Sequence, residues 1–184
     1  MVNQTVTFTK DDLLAFMDEY DACEKSYYLV YSCEDIQECL EKAPCEYIIW
    51  VLIRKPDLSY LVDWSKFDGK DWSFLLRNQP QFADKCDWYK FSSEDWRCLL
   101  IVQPQFADKC DWDKLDGENW RYLLKCRPQF ADKCDWNKLS SVDWRYLLRF
   151  QPQFADKCDW SKLGGVDWWH LLAIRPQFAK YKPV

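Results

Sequence analysis

The sequence is poor in the residues on which several classes of enzyme depend. Among its 184 residues there are four glycines and one histidine. Four scattered glycines provide no Gly-rich loop of the kind that cradles a phosphate. One histidine provides little basis for a Cys–His or Ser–His nucleophile. The sequence therefore predicts that the protein is not an enzyme, with no catalytic residue and no cofactor.

Long apolar runs are lacking as well. No stretch approaches the roughly 18 uncharged apolar residues that a membrane span needs, and the opening residues MVNQTVTFTKDDLL lack a basic region followed by an apolar run. Ten cysteines without an export signal are typical of reduced thiols. We expect a cytoplasmic protein with no membrane partner.

The charge is mildly acidic and unevenly placed. The formal net charge is −5, with five basic against eleven acidic residues in 1–55 and twenty against nineteen in 56–184. The acidity belongs to the N-terminal segment, so the composition does not favour general nucleic-acid binding.

An internal repeat dominates the chain. The nonapeptide PQFADKCDW occurs four times, PDLSYLVDW at 56–64 is a weaker copy, and PQFAK at 176–180 begins a truncated one. A fixed period of this kind is the signature of a solenoid. The repeats begin at prolines spaced by 24 residues: Pro56, Pro80, Pro104, Pro128, Pro152 and Pro176.

Each repeat also carries the start signals of a helix. A short residue such as Asp68 or Ser92 stands three positions before Asp71 or Asp95, which is the spacing of a capping box. An apolar residue precedes each cap and is spaced to staple against the following Trp. The helix should run for about ten residues, until the next proline ends it and opens a shorter helix.

These signals predict an all-α fold, namely a short α-solenoid of 24-residue repeats with an N-terminal helical cap. Each repeat holds one helix and one short α- or 3₁₀-helix. We expect two parts: an acidic cap over residues 1–55, fused to the array, and the repeat solenoid over residues 56–184. Cap helices are expected near 10–20, 22–30 and 33–42, beginning at Thr9, Asp21 and Ser32.

The PQFADKCDWxKL…DWxxLL unit is similar to tandem repeats of uncharacterised bacterial and phage-borne proteins. The N-terminal pattern ACEK…CED…CLEKAPCEYIIW resembles a segment of the same proteins. The repeat plan resembles that of leucine-rich repeat variant solenoids. Neither resemblance implies an activity.

Cysteines and the histidine favour packing over chemistry. The ladder of Cys86, Cys110, Cys134 and Cys158 begins with Val62 in the first repeat, which indicates a small buried residue. The cap cysteines Cys23, Cys33, Cys39 and Cys45 contain no CxxC pair, so no metal site is predicted. His170 replaces an aromatic or apolar residue of other repeats, and a packing role is expected.

Variable positions predict where a partner binds. On the repeat helix the residues one and five positions after the Trp lie away from the buried Trp and Leu face. Stacked together they form a basic stripe, and tyrosines edge it from a flank that we expect to be largely buried between repeats. The predicted contact residues are Arg97, Arg121, Lys125, Arg145 and Arg149, with Tyr122 and Tyr146.

Three functions remain open. The first is a protein-binding module, one form being a phage or mobile-element inhibitor that fills the nucleic-acid groove of a bacterial defence complex. In that form the contacts come from Glu34, Asp35, Glu38 and Glu41 of the cap. The alternatives are a nucleic-acid binder that uses the basic stripe and a structural spacer. The oligomeric state is left open.

Overall fold

The computed structural model describes residues 8–183, and within that range the secondary structure is entirely helical. The predicted all-α solenoid class is confirmed. This range contains nine α-helices; from the fourth onward two 3₁₀ helices separate each α-helix from the next, and a single one follows the ninth. The α-helices are α1 Lys10–Glu19, α2 Glu24–Tyr31, α3 Ile36–Lys42, α4 Cys45–Arg54, α5 Gly69–Asn78, α6 Ser93–Val102, α7 Gly117–Cys126, α8 Ser141–Phe150 and α9 Gly165–Ile174.

The chain forms two compact units that divide between Cys86 and Asp87. In the first unit, α1 packs on α2, α2 on α3, and α4 on α5. In the second unit, α6, α7, α8 and α9 pack successively, each on the next. The neighbour-on-neighbour packing within each unit is what a solenoid requires.

The repeat helices begin where the capping boxes predict. In α8 the hydroxyl of Ser140 accepts from the Asp143 N–H at 3.3 Å, while the Asp143 carboxylate accepts from the Ser140 N–H at 2.9 Å. The staple forms too, since the rings of Phe91 and Trp96 lie 4.5 Å apart. Every repeat helix is ten residues long, as expected.

The proline segment is a 3₁₀ helix rather than an α-helix. Proline supplies the first residue, and the Cys86 N–H bonds three residues back to the Ala83 carbonyl at 3.3 Å. The segment DWxKL adds a second 3₁₀ turn. The bounds are Pro56–Leu61, Trp64–Lys66, Pro80–Lys85, Trp88–Lys90, Pro104–Lys109, Trp112–Lys114, Pro128–Lys133, Trp136–Lys138, Pro152–Asp156, Trp160–Lys162 and Pro176–Tyr181.

Each repeat core is built on one Trp and two Leu. In α7, Trp120, Leu123 and Leu124 are fully buried. The Trp of the short 3₁₀ turn covers this core, and the rings of Trp112 and Trp120 stack with centroids 5.5 Å apart. Trp112 in turn meets Phe130 at 5.4 Å. The same aromatic stack recurs from repeat to repeat, which accounts for the Phe and the Trp of the nonapeptide.

In the second unit a lysine of the short 3₁₀ turn ties a repeat to the one before it. Lys138 Nζ donates to the carbonyl oxygens of Asp113 at 2.7 Å and Leu115 at 3.0 Å. Lys162 repeats this arrangement with Asn137 and Leu139, both at 2.9 Å. The sequence analysis gave these lysines no role. Their recurrence every 24 residues was the signal of this role.

Replacing Lys138 with Met should lower the free energy of unfolding by roughly 1–3 kcal/mol, because two carbonyl groups lose a charged donor while the aliphatic stem is kept. Urea denaturation of both proteins measures the change. Lys133→Met is the matched control. Lys133 is half exposed and contacts Asp132 at 3.7 Å, so its loss should cost under about 0.5 kcal/mol. Equal costs for the two variants would contradict the proposed tie.

Close packing between two repeats explains the glycine at the start of α7. A Cβ on Gly117 would collide with the backbone carbonyl of Lys138 and the carboxylate of Asp143. The first turn of α7 therefore lies directly against the following repeat. A side chain at this position would have to push the two repeats apart.

The cap helices agree with the predicted number but not with two of their starts. Thr9 caps α1 and forms a capping box with Asp12. The start at Asp21 is wrong, because Asp21 occupies the turn in a left-handed conformation (φ 47°) and Cys23 is the N-cap of α2. The start at Ser32 is wrong as well. Asp35 caps α3 by accepting from the Glu38 N–H at 2.9 Å.

Candidate partner-binding surface

The predicted basic stripe is largely neutralised by the chain's own carboxylates. Arg121 contacts Glu118 at 2.7 Å on its own helix and Asp143 at 3.1 Å on the next one, and its side chain is 15% exposed. Burial lowers the pKa of Arg121, but its hydrogen bond with Tyr122 and the charges of Asp143 and Glu118 outweigh this, so the pKa is raised. Arg121 thus joins two repeats.

The neighbouring arginines Arg97 and Arg145 also contact carboxylates, but each has one such contact where Arg121 has two. Arg145 lies 3.6 Å from Asp167, the third residue of α9. The residue equivalent to Asp167 in α7 is Asn119, so Arg97 has no carboxylate there. Arg97 instead bonds to Glu94 at 2.8 Å and lies over the Tyr122 ring at 5.1 Å. The side chains of Arg97 and Arg145 are only 20% and 30% exposed, so neither is a fully solvated surface residue.

Of the two remaining cations of the stripe, Lys125 contacts neighbouring aromatic side chains and Arg149 is exposed. Lys125 Nζ donates to the Tyr146 hydroxyl at 3.0 Å and lies 4.2 Å from the Phe150 ring centre. The hydrogen bond with Tyr146 raises the pKa of Lys125. Arg149 is exposed on α8. The rings of Tyr122 and Tyr146 lie 5.4 Å apart and are half-buried.

A cleft of about 220 Å³ opens between α8 and α9. Its wall mixes aliphatic, aromatic and cationic side chains, and none of the lining residues is acidic. The lining residues are Val142, Arg145, Tyr146, Arg149, His170, Leu171 and Ile174. Two of the predicted arginines and one predicted tyrosine therefore meet at one place.

Helix α9 also exposes apolar residues, of which Ile174 lines the cleft. Val166 and Trp169 are each 69% exposed, and Ile174 is 46% exposed. His170 is also exposed, with its ring edge against Trp169 at a centroid distance of 4.7 Å. The expectation that the tyrosine-bearing flank is largely buried between repeats is wrong for Phe74, Phe150 and Ile174, which are 47%, 40% and 46% exposed. His170, for which a packing role was expected, is exposed as well. The missed signal was Trp169, which replaces the Arg of α6, α7 and α8.

The four predicted acidic residues lie around the start of α3. Glu34, Asp35 and Glu41 are exposed. Glu38 is bonded to Lys42 Nζ at 2.6 Å and to the Glu34 N–H, and these two bonds lower its pKa. The structure therefore leaves three carboxylates open to solvent, one of which also caps α3.

The burial predicted for the ladder cysteines is complete at one position and partial at three. Cys86, Cys110 and Cys134 are half-buried and Cys158 is buried. Burial raises the pKa of Cys110, Cys134 and Cys158 to about 12. Among residues 8–183 no group of three or more His, Cys, Asp or Glu side chains is arranged to hold a metal ion. No helix in that range is both long and apolar enough to cross a membrane.

Comparison of the chain with protein-family models, with curated proteins and with solved structures gives no match. The tandem-repeat architecture is established by the structure itself. The resemblance to phage-borne repeat proteins stays a prediction.

Proposed function

We propose that the protein is a cytoplasmic protein-binding module and that the α8–α9 cleft receives its partner. The observation that carries this proposal is the composition of the cleft and its rim. Trp, Tyr and Arg side chains dominate the energetics of protein interfaces. Here Tyr146, Arg145 and Arg149 line the cleft together with Ile174, and α9 also exposes Trp169 and Val166.

The chemistry of the face defines the partner. An apolar ridge would fill the cleft between α8 and α9 and cover Trp169. A carboxylate beside that ridge would pair with Arg149, since Arg149 is the exposed cation of the lining. The partner is a protein surface with an apolar projection flanked by acidic residues.

The nucleic-acid alternative is less well supported. Binding to phosphates needs several cations that are free to replace counterions. Arg97, Arg121 and Arg145 each have a carboxylate within 4 Å. A spacer function is less well supported too, because a spacer has no need of an exposed Trp169 at 69%.

A narrower form of the proposal is inhibition of a bacterial defence complex by the acidic cap. Glu34, Asp35 and Glu41 are exposed and would imitate phosphate charge in a nucleic-acid groove. This form uses a surface of the first unit, whereas the cleft belongs to the second unit. One experiment can separate them.

The experiment is affinity capture of the tagged protein from a bacterial lysate, with and without nuclease, followed by mass spectrometry. We expect one protein to be retained in near-stoichiometric amount after nuclease treatment. Trp169→Ala and Arg149→Glu should each reduce its recovery by about tenfold or more, the effect of losing roughly 1.4 kcal/mol. Tyr60→Ala, which changes a residue 66% exposed in the first unit, is the control.

The variants also show which surface of the protein binds the partner. Loss of the partner in Glu34→Gln/Glu41→Gln, but not in Trp169→Ala, would move the site to the acidic cap. Recovery that disappears with nuclease and falls steeply with salt would support nucleic-acid binding instead. Unchanged recovery in every variant would rule out both surfaces.

A further inference from the structure

The first unit contains an apolar cavity of about 310 Å³. Residues of α1 to α4 and of the following 3₁₀ helix line it. The walls are formed by buried side chains, chiefly Leu13, Met17, Val30, Ile48, Leu52 and Leu58. The cavity is partly open to solvent, and it plays no part in the cleft between α8 and α9.

Its size is far above that of ordinary packing defects. Protein interiors contain few voids larger than a water molecule. A cavity of about 150 Å³ lined by aliphatic and aromatic side chains stays dry and binds benzene. The present cavity has twice that volume, so it has room for about twelve carbon atoms. In contrast, the Trp and the two Leu of each helix from α5 to α8 are fully buried.

Polar groups lie at the mouth of the cavity. Cys23 Sγ lies 3.7 Å from Ser26 Oγ and 3.9 Å from the Tyr47 hydroxyl. The charged residue among the lining side chains is Glu46, which is exposed. A carboxylate at the mouth repels an anionic head group, and the hydroxyl groups provide partners for a neutral polar end.

We propose that this cavity is a binding site for an uncharged, elongated apolar molecule with a chain of ten to twelve carbons (about twelve fill the volume) and a neutral polar end. The hydrocarbon chain lies between the α1, α2 and α4 walls. The polar end lies at the mouth, beside Ser26 and Tyr47. This site does not depend on the proposed protein-binding cleft, and it is tested by a separate experiment.

Cys23 provides a reporter for occupancy. Its thiol is exposed at the mouth, and hydrogen bonds from the Ser26 backbone and side chain lower its pKa, which increases the fraction present as thiolate, the form that alkylating reagents attack. Cys126 is exposed on α7 of the second unit and does not line the cavity. The two thiols can be compared within one sample.

The test uses the full chain and 1-decanol, with decanoate as an anionic control that has the same number of carbon atoms. Iodoacetamide labelling of each cysteine is followed by mass spectrometry, and calorimetry measures binding directly. At decanol concentrations about ten times its Kd, labelling of Cys23 should slow about tenfold. Labelling of Cys126 should stay unchanged, and decanoate should protect Cys23 less at the same concentration.

Two cavity-filling variants test whether decanol binds inside the cavity. Val30→Phe and Ala43→Leu each place extra carbon atoms into the space, and the variant that folds, as judged by circular dichroism, should lose decanol binding. Absence of calorimetric binding by the unmodified protein would overturn the proposal. So would equal protection of Cys126, or decanol binding that survives in a folded filling variant.

Discussion

Trp120→Ala should lower the free energy of unfolding by about 3–5 kcal/mol, the range for removing a large aromatic side chain from a closed core. Trp120 is fully buried and stacks on Trp112. Its indole N–H has no hydrogen-bond acceptor in the described chain. The loss therefore comes from packing and from the cavity left behind. Urea denaturation followed by circular dichroism measures it.

Trp169→Ala makes the same chemical change at an exposed position of α9. Since Trp169 is 69% exposed, its removal should change stability by less than about 0.5 kcal/mol. This control also shows that Trp169→Ala is folded when it is used in the capture experiment. Similar losses in the two variants would mean that α7 is not packed as the structure has it.

Asp143→Asn should cost about 3 kcal/mol, although the change is isosteric. Asp143 is buried and accepts hydrogen bonds from the Ser140 N–H and hydroxyl and from Arg121 at 3.1 Å. Without the negative charge, the Arg121 side chain, which is 15% exposed, keeps Glu118 on its own helix but loses its partner in the next repeat. The charge-assisted bond to the Ser140 cap is weakened as well.

A double-mutant cycle separates these two causes. In an Arg121→Met background the same Asp143→Asn change leaves no buried cation behind, and its cost should fall to about 1 kcal/mol. Urea denaturation of the four proteins gives the coupling energy. An identical cost in both backgrounds would show that Asp143 acts through the helix cap alone. The arrangement in α7, where Asn119 stands at this position, already shows that a repeat helix forms without the carboxylate.

The sequence by itself determined the period, the helix starts at the capping boxes and the Trp and Leu core. These features depend on residues within one 24-residue repeat, such as Ser140 and Asp143, so local chemistry specifies them. The position of the basic stripe on the helix could be predicted too, because it follows from helical geometry. Two starts in the cap, at Asp21 and Ser32, could not, because several acidic and hydroxyl residues compete there.

Only the tertiary structure decided which charges and apolar groups face solvent. Arg121 is neutralised by Asp143, a residue 22 positions later, and Lys138 donates to carbonyl groups 23 and 25 positions earlier. The cleft and the apolar cavity likewise form between separate helices. Helix periodicity specifies a direction around one axis, whereas exposure depends on what the neighbouring helix places opposite, and that is settled by packing.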